Sequence, residues 1–133
     1  MLVGLIGAIF VLNALHTVDH VLRGDFHWPL DAQSIVFVAI TVTINVVLGV
    51  GLWLSGKGRL GWRFWAVTGA IGLAFGWFSH FSPFTDQPPM RIYGAYQSAT
   101  AGGLAVALLV LLMLTVLATT VYAGFRWSGA RRA

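Results

Sequence analysis

The chain contains no cysteine, which excludes disulfides, iron–sulfur clusters and thiolate-held zinc. Charge is almost as scarce. Only 9% of the 133 residues are charged, where a soluble domain carries about 25%. That shortfall argues for a membrane protein. The pI of about 10.4 would suit a nucleic-acid binder, but the basic residues stand where a membrane topology puts them, and no nucleic-acid partner is expected.

What is abundant fits the same class. The chain is 58% hydrophobic, with a mean hydropathy of +0.82. Six Trp and nine Phe suit membrane interfaces, and sixteen Gly suit close helix packing. The apolar runs predict an all-α membrane protein, an antiparallel bundle of four transmembrane helices forming one domain over 1–133. The helices are expected at about 2–23, 33–55, 61–82 and 92–123. Val, Ile and Thr are frequent in the second, yet lipid imposes helix because every backbone group must be bonded internally. The first run has no Lys or Arg ahead of it, and His16-Thr17-Val18-Asp19-His20 is a poor cleavage context. It reads as a retained span and not as a signal peptide.

Pro83, Pro88 and Pro89 mark a loop between the third and fourth helices. Gly69, Gly72 and Gly76 form a smooth strip on the third helix, better suited to helix packing than to a cofactor slot. Asn13 and Asn45 fall near mid-membrane, and a hydrogen bond between them is expected.

Charge sets the orientation. With four spans, one side holds Lys57, Arg59, Arg63, Arg126, Arg131 and Arg132 and no acid. The other holds Arg23 and Arg91 with Asp19, Asp25, Asp31 and Asp86. By the positive-inside rule both termini are cytoplasmic, in a multi-pass protein of the plasma (inner) membrane. All four histidines then lie toward the outer face.

The stretch Asn13–His27 concentrates the chemistry. Asn13, His16, His20, Arg23 and His27 recur every three or four residues, one stripe of a helix. A polar stripe in an oily segment must face protein, trapped water or a ligand. His16 and His20 have the i, i+4 spacing by which two imidazoles on one helix share a metal. Asp19 lies beside them, to ligate or to orient a ring. Counting along the helices at about 1.5 Å per residue puts His80 at the depth of His20. His16, Asp19, His20 and His80 are therefore the candidate metal ligands, with Asp86 in reserve, and His16, His20 and His80 are the candidate cofactor residues. A Zn, Cu or Fe ion suits this set. Haem b between facing histidines is an alternative.

Three other functions stay open. The polar cluster can simply cap helix ends and join outer loops, in a non-catalytic interaction or assembly subunit of a larger membrane complex or homo-oligomer. It can also form part of a pocket for a quinone or another small amphiphile. Hydrolysis is the third: Ser79 beside His80 points about 100° away from it, and a triad of Asp19, His16 and Ser82 would have to form across helices. No nucleophile elbow is present, so the chain is not expected to be an enzyme on its own.

Overall fold

The computed structural model describes residues 1–130 and is all-helical over them. Its helices are α1 (Leu2–Leu22), α2 (Ala32–Gly56), α3 (Trp62–His80), the short α4 (Pro89–Gly94) and α5 (Ala99–Ala130). The expected first three helices stand within two residues of their bounds. The expected fourth is divided. Pro89 opens a short α4 at its first turn, residues 95–98 break it, and α5 then runs on to Ala130. Arg131 and Arg132 lie outside the described residues.

Local sequence fixes the ends that matter. Asp31 caps α2, its carboxylate accepting the Ser34 amide at 2.7 Å. Gly24 follows α1 at φ +90°, a conformation that only glycine adopts cheaply. Its amide bonds the Val21 carbonyl at 3.1 Å, and the Asp25 amide bonds the His20 carbonyl at 3.0 Å. These two bonds form a Schellman motif that turns the chain back across the last turn of α1.

The four long helices alternate in direction. Ile6 and Ile9 at the start of α1 pack with Leu48 late in α2, Trp65 early in α3 and Ala123 late in α5. A second cluster, Ile92, Ala105 and Leu109, joins α4 to α5 nearer the other end. Helix α5 is the pillar, with α1, α3 and α4 against it. The glycine strip belongs to that packing. Gly69 stands against Thr120, and Gly76 against Met113.

The outside is oily. Val11, Leu15, Val18, Val42, Val46, Leu111 and Leu114 are all exposed, a surface suited to hydrocarbon and not to water. Helices α1, α2 and α5 are long and apolar enough to cross a membrane. The expected Asn–Asn bond is absent. Asn45 donates instead to the Thr41 carbonyl of its own helix at 2.8 Å, while the Asn13 amide nitrogen is buried without a hydrogen-bond partner. Back-bonding one turn away satisfies Asn45 where it stands.

Candidate metal centre

Three imidazoles meet where the ends of α1 and α3 come together. His16 Nε2 lies 3.1 Å from His20 Nε2 and 3.4 Å from His80 Nε2. One ring nitrogen from each residue lies within 4.8 Å of the others. His16 and His80 are buried, and His20 is half-buried. Helical periodicity brings His16 and His20 together. The parallel run of α1 and α3 brings His80 to the same level.

The outer nitrogens determine what the inner ones can do. His20 Nδ1 is 2.7 Å from Asp25 Oδ2. A carboxylate only accepts, so this nitrogen carries the proton. His80 Nδ1 is 3.3 Å from the Gln87 main-chain carbonyl and donates for the same reason. In the neutral rings, both Nε2 atoms are then bare lone pairs directed at His16. A proton on His16 Nε2 can bridge to one of them and leaves the other unanswered. A cation at the centre answers all three. This pattern, with the far nitrogens of His20 and His80 tied to a carboxylate and a carbonyl, is how metal-bound imidazoles are oriented.

Spacing agrees. Metal–imidazole bonds of about 2.0–2.1 Å convert separations of 3.1 and 3.4 Å into N–metal–N angles of about 100° and 110°. Both angles involving His16 are near tetrahedral. A b-type haem would need two of these histidines on opposite sides of it. Rings packed edge-on, with centroids 4.6 Å (His16–His20) and 5.2 Å (His16–His80) apart, suit a single ion better than that sandwich.

Around the imidazoles runs a continuous polar shell. Arg23, the C-cap of α1, has its guanidinium turned inward. Its Nε donates to Asp19 Oδ2 at 3.0 Å, and one terminal nitrogen donates to Gln87 Oε1 at 2.5 Å. Gln87 Nε2 in turn donates to Asp25 Oδ1 at 2.9 Å. Thr85 anchors this loop to α3: its hydroxyl donates to the Ser79 carbonyl and accepts the Gln87 amide. Two carboxylates against one guanidinium leave the shell with net negative charge, which favours a cation inside it.

Asp19 belongs to this shell. Its carboxylate accepts from Arg23 and from the Tyr96 hydroxyl, the latter at 2.5 Å, and it lies 3.8 Å from His16 Nδ1. Partial desolvation, followed by the bond to Asp19, pushes the Tyr96 phenol up to about 12. It is therefore a protonated donor at any physiological pH.

The remaining candidates stand apart. His27 is exposed, and its main-chain amide donates to Ser34 Oγ. Asp86 is exposed too, and offers its main-chain carbonyl to Arg91. Ser82 Oγ donates to the Phe78 carbonyl, so that hydroxyl proton is committed to helix α3 and the Asp19–His16–Ser82 triad is not assembled. Sequence reasoning missed Gln87, Asp25 and Tyr96 as partners of the cluster. A glycine followed by an acid after α1 is the one signal that pointed to Asp25.

Below the imidazoles lies a cavity of about 510 Å³, lined by residues from all four long helices. Asn13, His16 and His80 form its polar end.

Comparison with family models, with curated proteins and with solved structures yields no match. The functional reading therefore rests on geometry.

Proposed function

We propose that this chain is a four-span membrane protein that holds one Zn, Cu or Fe ion on His16, His20 and His80 near the outer face, with both termini cytoplasmic. The reading is carried by one observation. Two of the three converging Nε2 atoms have their protons drawn to the far side of the ring by Asp25 and by the Gln87 carbonyl. In this reading α3 is the third span. Its 19 residues make about 28 Å of helix, close to the hydrocarbon thickness. Its lower hydropathy follows mainly from Arg63 at one end and His80 at the other. Asp19 acts from outside the ligand set, accepting from Arg23 and Tyr96 and facing His16.

Three histidines leave a tetrahedral ion one open position, the arrangement by which metals bind or activate a further ligand. The fit is to a small redox or ion-handling centre in the plasma membrane, able to work within a larger complex. Haem b is the less favoured occupant, because His16 Nε2 stands closer to both of its neighbours than two ligands on opposite sides of one iron would.

Metal content of the full-length protein tests this. After purification and removal of excess metal, about one ion per chain is expected. His20→Ala should abolish binding with the helix content unchanged. His27→Ala should bind normally. If His20→Ala keeps its metal, or if the two variants behave alike, the three-histidine site is wrong.

A further inference from the structure

The cavity beneath the histidines is a feature that the metal reading does not use. It extends from the Asn13–His16–His80 end between α2 and α3. Ala39, Thr43, Ile71 and Phe75 border it and are themselves exposed, so it opens sideways, toward lipid, and not toward water. Its volume of about 510 Å³ falls in the range of small-molecule sites. Apolar walls with a few polar groups at one end match an amphiphile lying head-first.

Asn13 says which head. Only 8% of the residue is exposed, it borders the cavity, and its amide nitrogen has no hydrogen-bond partner among the described residues. Asparagine nitrogen only donates. A buried donor left unmade is costly, and no acceptor among the described residues, the Asn45 side-chain oxygen included, bonds to it. The missing partner is therefore an acceptor that none of the described residues supplies. An anionic head has no cation to meet at this end, since neither Lys nor Arg lines the cavity. A neutral carbonyl fits.

We propose that the cavity binds a lipid-soluble carbonyl compound of the long-chain quinone class, its oxygen accepting from Asn13 Nδ2 and its tail leaving between α2 and α3. The head would then lie within about one helical turn of His16, beside the ion. The inference stands on the cavity and on Asn13, independently of the metal, so it is tested in chelator-treated protein.

The test is partition of a benzoquinone with a decyl tail between nanodiscs holding the full chain and empty nanodiscs, with decylbenzene as the tail-only control. The quinone should bind to the protein at least about tenfold more tightly than decylbenzene does, a ratio equal to one good hydrogen bond. Asn13→Leu should erase that difference and leave decylbenzene binding unchanged. Thr43→Phe, which fills the cavity from α2, should remove both. The proposal is overturned if the quinone shows no excess over empty discs, or if quinone and decylbenzene bind alike. It is also overturned if Asn13→Leu leaves the preference intact. A rise in thermal stability of Asn13→Leu, as an unmade donor is removed, would confirm that the variant folds.

Discussion

At the scale of single residues, the site depends on groups that carry no charge pattern of their own. The histidines were legible, because a spacing of four on a helix is a geometric statement that survives folding. Gln87 was not, because it lies in a proline-rich loop with no periodicity to place it. Yet it meets His80 through its main chain, and Arg23 and Asp25 through its side chain. Arg23 was legible in the same way as the histidines, from its place on their helical stripe, and the fold turns it inward onto Asp19. Asp25 is the more informative residue to change, since its carboxylate holds the proton of His20 Nδ1. Asp25→Ala should weaken metal affinity about 10–100-fold, the usual effect of losing the partner behind a ligating imidazole, without loss of helix content. Competition against a chelator of known affinity measures it. An unchanged affinity would mean that His20 needs no outer partner.

At the scale of elements, three long helices were readable to within two residues because apolar length and glycine punctuation agree there. The break at residues 95–98 was not readable. Tyr93, Tyr96 and Gln97 interrupt an apolar run without proline or a charge, and beyond the break α5 passes close to α4. Gly102 provides it, its Cα facing the Tyr93 carbonyl so closely that a side chain would collide with backbone. The turn after α1 makes the same point about function. Gly24 at φ +90° directs Asp25 back to His20. Gly24→Ala should cost about 1 kcal/mol of stability from φ alone and should weaken metal binding with it. Thermal unfolding and chelator competition on the same variant test the coupling. Loss of stability with full metal affinity would show that the turn and the site are independent.

At the scale of the whole molecule, composition alone pointed to a membrane protein. Three helices of the chain are apolar enough to cross a membrane. The third helix in the proposed set is the least apolar, and it also carries His80 and the strip against α5. Packing and site compete there with hydropathy, which is why the span is a matter of topology and not of composition. The chain has no native cysteine, so single cysteines report cleanly. Phe84→Cys, in a loop residue 85% exposed, should react with an impermeant thiol reagent from outside the cell. Gly56→Cys, where added atoms meet open space, should react only after the membrane is opened. The opposite result would invert the orientation and put the histidines inside. The central claim is a metal bound by three imidazoles, and X-ray absorption of the metal-loaded protein tests it most directly. The account predicts multiple-scattering features of three imidazole rings, with nitrogen at about 2.0–2.1 Å, falling to two rings in His80→Ala. A shell of oxygen alone, or an unchanged spectrum in that variant, would contradict it.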